Sequence, residues 1–363
     1  MESKTSSLIK EAKWREEPYK RQSWGNWLHR MSAYVGKIKP SMAHWIILAS
    51  SKKGDKILDP FCGIGTIPLE ADFLGRVGIG IDLNPYAYSI SRAKFDRDTM
   101  ENNLKWLDSL KIDTSKINTS KYSPFVKKFY HEDTLKEILF IKSKMIKEEK
   151  YFLLGCLLGI IHGHRPGHLS ATTSLVIPYD PKTKPEYREV IPRIKQKVER
   201  MYSDGFELKT KSKAIFGDAR KIPLKKDSID VVISSPPYFN TLDYVNDNRL
   251  RLEFLGYNQI KKDTLKKELI QNKNDYIKEM IHVGKQLKKV LKKGGLCIFI
   301  LGDLHLGKKV VNTAYEISRA YEPLGFKTLE IIEDAMPVNK CVPSIYKRLK
   351  LDRILIMVNE KKE

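Results

Sequence analysis

Hydrophobic positions along this chain fall into two rhythms. A short apolar run, Lys56-Ile57-Leu58-Asp59, passes into a glycine-bearing turn, Ile67 to Leu74 then repeats at helical spacing, and Gly78-Ile79-Gly80-Ile81-Asp82 reads as the next strand. Strand, Gly-x-Gly turn, helix and strand in that order predict the entrance of a doubly wound α/β sheet. Upstream, the polar residues 1–23 predict a flexible or loosely helical arm. Trp24 to Ser50, richer in Trp, His and Met, predicts a helical lead-in packed on the sheet. Past Phe95 the rhythm changes. Residues 98–212 lack glycine-turn strands and hold Lys-rich segments such as Leu135 to His162, which predicts a largely helical insertion between core segments 24–97 and 213–363. Strand rhythm returns at Ala214-Ile215-Phe216 and at Ile229 to Ile233. An amphipathic helix over Tyr276 to Leu291, a buried strand over Leu296 to Leu301, a helix over Val311 to Ala320 and strands over Phe326 to Ile332 and Arg353 to Val358 complete the pattern.

Size and charge narrow the class. The 363 residues, 41% hydrophobic, suffice for one large domain or one domain with a sizeable insertion. A net charge of +22 favours polyanions if the charges converge on one surface; spread over solvated faces, the same charges mean little. Cys62, Cys156, Cys297 and Cys341 are too far apart for a paired zinc spacing, and no disulfide framework is implied. The apolar run Phe152 to Ile161 falls well short of the ~20 residues that span a bilayer. The charged amino terminus lacks a signal-peptide core. The expectation is a cytoplasmic, nucleoid-associated protein without membrane or metal.

Candidate chemistry gathers at two strand ends. The run Ile229-Asp230-Val231-Val232-Ile233 delivers Ser235-Pro236-Pro237-Tyr238, where paired prolines hold carbonyl acceptors out of any helix beside an aromatic face; a plain strand-ending turn is the alternative. Asp82, 23 residues after Asp59, is placed to accept both hydroxyls of a ribose, or else to cap the helix that follows. Cys62 reads as a small buried filler rather than a nucleophile. His162, His164 and His168 lack acids or cysteines at zinc spacing.

Asp59-Pro60-Phe61-Cys62-Gly63-Ile64-Gly65-Thr66 resembles the D-P-F-x-G-x-G-T cofactor motif of amino methyltransferases, and Ser235-Pro236-Pro237-Tyr238 resembles the catalytic motif of their N4-cytosine DNA branch. The resemblance implies a Rossmann-like class I methyltransferase fold, a mixed seven-stranded sheet with helices on both faces and a closing antiparallel pair. It also implies S-adenosyl-L-methionine as cofactor. Asp82, Leu83 and Asn84 match the ribose loop, Asp218 and Ala219 the adenine loop, and Gly36-Lys37-Ile38-Lys39-Pro40-Ser41, with Lys39 and Pro40 as its expected contacts, the segment that closes over the methionine end. With Asp59, Pro60, Phe61, Gly63, Gly65 and Thr66 they form the expected cofactor set. In the family order the adenine loop precedes the insertion, whereas Gly217-Asp218-Ala219 follows it here.

The implied reaction is methyl transfer to the exocyclic N4 amine of a cytosine flipped out of double-stranded DNA, in a modification enzyme of a restriction-modification system with a cognate endonuclease. Ser235, Pro236 and Pro237 would present acceptors to the amine and Tyr238 would stack on the ring. Residues 98–212 are the candidate target-recognition region. Arg165, His168 and Ser170 form a candidate contact loop, Tyr244 a pocket wall, and Arg249 and Arg251 candidate phosphate contacts. Alternatives are an RNA amino methyltransferase of the guanine-N2 type, an N6-adenine DNA methyltransferase and a catalytically silent cofactor-binding subunit.

Overall fold

The computed structural model describes residues 2–21, 23–163, 167–173, 177–237, 242–270, 275–306, 309–335 and 351–360; Arg165 and Tyr238 lie outside them. Seven of its strands form one sheet and two a separate hairpin. In chain order they are β1 (Lys56–Asp59), β2 (Val77–Asp82), β3 (Lys213–Phe216), β4 (Ile229–Ser234), β5 (Leu291–Gly302), the hairpin β6 (Leu304–Leu306) and β7 (Lys309–Val311), then β8 (Phe326–Ala335) and β9 (Leu351–Asn359). The sheet order is β3-β2-β1-β4-β5-β9-β8. Its first five strands are parallel, and β9 runs antiparallel to both β5 and β8. This is the expected mixed Rossmann-like sheet with its closing antiparallel pair.

Among the described residues the helices are α1 (Glu2–Lys10), α2 (Pro40–Ser50), α3 (Thr66–Phe73), α4 (Pro85–Ala93), α5 (Met100–Ser109), α6 (Pro124–Lys127), α7 (Glu132–Lys147), α8 (Tyr151–Ile160), α9 (Val190–Tyr202), α10 (Arg249–Phe254), α11 (Gln259–Glu268), α12 (Tyr276–Val290) and α13 (Thr313–Tyr321). Alternate residues of the central strands serve two cores. Ile57, Val231, Ile233, Ile298 and Ile356 meet Ile46, Ile47 and Ile67 on one face; Leu58, Val232, Cys297, Phe299 and Met357 meet Met280, Leu287 and Ile317 on the other. Burial on both sides explains why these strands are unbroken apolar runs rather than alternating ones.

The amino-terminal arm takes the helical alternative over α1, and it is docked rather than loose: Ile9 and Trp14 are buried in the core beneath α2, and Lys10 and Arg15 pair with Glu330 and Asp334 of β8. Two apolar side chains in a polar segment suffice to anchor it once an adjacent strand supplies the countercharges.

Helices α5 to α9 account for about half of residues 98–212, and their core is continuous with the rest of the molecule. Leu153, Leu157, Ile194 and Val198 share one apolar cluster with Met31 of the lead-in and Tyr86 and Ile90 of α4. Contact is close at Gly159, where a Cβ would stand 2.1 Å from the Met31 carbonyl oxygen. The insertion is therefore bolted to the segment that leads into the cofactor turn.

Candidate active site

Strand β1 leads away to β2 and β3, whereas β4 leads to β5 on the other side, so the crevice between the carboxyl ends of β1 and β4 is the topological switch point of the sheet. Both sequence motifs end there. Ile57 and Leu58 pair with Val231 and Val232, and the Ser234 hydroxyl donates to Asp59 Oδ1 at 2.6 Å. Neighbouring strands lie about 5 Å apart, which sets the distance between the two motifs where they leave the sheet. A cleft of about 800 Å³ opens above them, lined by Asp59, Pro60, Phe61, Gly63, Thr66, Asp82, Leu83, Asn84, Asp218, Ala219, Ser235, Pro237 and Tyr244.

The acids are positioned by backbone amides. Asp82 accepts from Gly63 N at 2.7 Å and Asn84 N at 2.8 Å. The cap of α4 is Asn84, whose side chain receives Tyr86 N, so Asp82 is not needed as a helix cap. The helix after the glycine turn has Gly65, at φ +77°, as its N-cap, which likewise frees Asp59 from that role. A Cβ at Gly65 would lie 2.3 Å from Ser91 Oγ, so that position tolerates only glycine. Burial pushes Asp59 up to about 7 and Asp82 up to about 6, with the Asp82 charge adding to the rise at Asp59. Hydrogen bonds from Ser234 and Phe61 N hold Asp59 back from a larger shift. Two close buried carboxylates in one cleft form a site poised for a cation.

Across the cleft, the Ser235 hydroxyl donates to the Ile300 carbonyl of β5 at 3.2 Å. Its single hydrogen is thereby committed, and the oxygen offers lone pairs only. An amine hydrogen is what such a group can receive. Over the glycine turn, the rings of Tyr34 and Tyr244 stack at 6.0 Å and 22°, joining the lead-in to the segment that follows the Ser-Pro-Pro stretch. Cys62 is buried and its thiol is pushed well above the usual range by burial, consistent with a filler. At the adenine loop, Arg220 grips Asp218 through Nε and Nη2 at 2.7–3.0 Å and also reaches Glu279 at 2.7 Å.

Several expected site residues fall elsewhere. Lys39 and Pro40 are the N-cap and first residue of α2, and of the Gly36–Ser41 segment it is the three residues before them, Gly36, Lys37 and Ile38, that line the cleft. Pro236 lies between Ser235 and Pro237 without lining the cleft, and Tyr238 is outside the described residues. Arg251 is not a surface phosphate contact: it is 1% exposed, lies over the Tyr86 ring and donates to the His162 carbonyl at 2.9 Å. Ser170 is buried against His162 Nδ1 at 3.1 Å. Arg249 bonds the Pro178 carbonyl and covers Phe125. His168 lines a second concavity, with Arg193 and Arg200. Sequence reasoning missed Tyr34, Arg220, Glu268 and Ile270 as cleft residues; they belong to no motif, and only folding brings them to the switch point.

A profile of the DNA methylase family matches residues 4–93. The chain is 28% identical over 288 residues to the type II methyltransferase M.BsoBI of Geobacillus stearothermophilus, covering 67% of this chain and 54% of that one. It is 32% identical over 124 residues to the type II methyltransferase M.HpaI of Haemophilus parainfluenzae, covering 30% of this chain and 38% of that one. A 52-residue stretch is 42% identical to a tRNA (guanine(10)-N2)-dimethyltransferase of Methanothermobacter thermautotrophicus, 14% of this chain and 16% of that one. The chain thus spans about half the length of M.BsoBI and less of the other two.

The cofactor these relations support is S-adenosylmethionine, and the cleft fits it. Asp82 keeps lone pairs for a cis-diol beyond those given to Gly63 and Asn84. The raised Asp59 and Asp82 carboxyls suit a ligand that carries positive charge.

Proposed function

We propose that this chain transfers a methyl group from S-adenosylmethionine to the exocyclic N4 amine of a cytosine everted from duplex DNA, as the modification enzyme of a restriction-modification system. The observation that carries the reading is the shared cleft: the Ser235 oxygen, whose hydrogen is directed at the Ile300 carbonyl, opens onto the same cavity as Asp82 and Gly63. S-adenosylmethionine supplies a sulfonium-bound methyl open to in-line displacement. Ser235 would accept a hydrogen bond from the amine, localising its lone pair as the nitrogen becomes tetrahedral. Asp82 would hold the ribose and Asp59 the cationic end of the cofactor. Tyr34 and Tyr244 roof the glycine turn and exclude water from it.

Likeness to a type II DNA methyltransferase runs over 67% of the chain, against 14% for the tRNA enzyme, which favours DNA as the substrate. The choice of cytosine rests on the Ser-Pro-Pro-Tyr resemblance. The test is to express the chain in a host lacking DNA methylation and to digest its DNA to nucleosides. N4-methylcytosine is expected. N6-methyladenine alone would move the target to adenine, and transfer to tRNA or rRNA without transfer to duplex DNA would replace the substrate.

A further inference from the structure

Outside the cleft, residues of the insertion line a second, open concavity. One wall is a face of α9, where Arg193, Lys197 and Arg200 recur at helical spacing; His168 stands opposite. No carboxylate belongs to this lining among the described residues. Arg193 and Arg200 make no ion pair there either: Arg193 donates to the Glu189 carbonyl at 2.8 Å, and Arg200 faces the Trp27 ring at 5.9 Å, whose other contact is Arg30 at 3.7 Å. The neighbouring acid, Asp204, is engaged by Trp27 N at 2.9 Å.

Like charges gathered without acids repel one another and are stabilised by a bound anion. Lys197 registers the strain: burial, with Arg200, Lys37 and Arg30 nearby, brings its ammonium down to about 8. Its Nζ donates to the Arg30 carbonyl at 3.2 Å. Lys37, which lines the cleft, donates to the His29 carbonyl at 2.9 Å, and Lys197 of the groove donates to the adjacent Arg30 carbonyl, so groove and cleft meet at one step of the lead-in backbone.

Resting on the methyltransferase reading above, we infer that this groove binds the phosphate backbone of the DNA flanking the target base, with Arg193 and Arg200 as phosphate contacts. Guanidinium groups spaced along one helix face, with no carboxylate in the lining, suit a sugar-phosphate chain.

The experiment titrates a fluorescein-labelled, random-sequence DNA duplex against the full chain at several salt concentrations. Arg193→Gln/Arg200→Gln should make the slope of log K against log salt shallower by about 1.8 and weaken binding roughly 60-fold at about 0.1 M salt. Arg193→Lys/Arg200→Lys should keep the slope, because lysine still neutralises phosphate as a point charge. Lys52→Gln/Lys53→Gln, which removes the same charge from the amino-terminal side of the sheet, opposite the cleft, should leave it unchanged. S-adenosylmethionine affinity should be equal in all variants. If wild type binds the duplex and the double glutamine variant keeps the full slope, or if the Lys52/Lys53 control loses as much, the groove assignment is overturned while the reaction stands. If wild type binds structured RNA and not the duplex, both the groove's partner and the substrate reading fall.

Discussion

Cofactor affinity should depend steeply on pH, and the structure sets the size of the effect. Burial holds Asp59 near 7 and Asp82 near 6. A ligand with a permanent sulfonium charge favours both carboxyls ionised, so its binding must expel whatever protons they hold. Between about pH 5.5 and 7.5 the affinity should rise about 25-fold through Asp59 and about fourfold through Asp82, together roughly 100-fold or about 2.7 kcal/mol. Isothermal titration of S-adenosylmethionine across this range would read it directly. At about pH 6, paired buffers of different ionisation enthalpy should report between one and two protons released per cofactor bound. Asp59→Asn should flatten the profile to the fourfold share of Asp82. A wild-type affinity constant over the whole range would refute the assignment of these carboxyls to the cofactor site.

The same acids act on stability. Because the folded-state value of Asp59 lies above the unfolded one, the folded chain holds the proton longer, and stability is lost as pH rises from about 4 through about 7. Without cofactor, Asp59→Asn should therefore raise stability at about pH 8 by up to about 4 kcal/mol and change it little near pH 4, as read by urea denaturation. Ser235→Ala should lower kcat about 100-fold while calorimetric cofactor affinity stays the same, since it removes an acceptor needed only at the amine. Arg251→Met should cost about 1–3 kcal/mol in thermal unfolding by stranding the His162 carbonyl, and should leave the salt dependence of DNA binding untouched; a shallower slope would restore Arg251 to the DNA surface.

Local chemistry is what the amino-acid sequence by itself determined. Asp59 to Thr66 and Gly78 to Asp82 specify a strand, a positive-φ turn and an acid at a strand end through contacts among near neighbours, and the unbroken apolar runs of β4 and β5 already require burial on both faces. Those elements formed as expected, with Asp82 held by Gly63 and Asn84 only 19 and two residues away. Everything that depends on distant segments was decided by tertiary structure. Trp14 reads as part of a polar arm until α2 and β8 cover it, and Arg251 reads as a surface cation on a charged helix until the insertion closes over it. Tyr34 and Glu268, 234 residues apart, meet at one cleft because the sheet order places β1 beside β4. Patterning encodes which side of a helix or strand is apolar, but which side chains share a cavity depends on the order in which strands are laid side by side. That order is set by packing across the whole molecule.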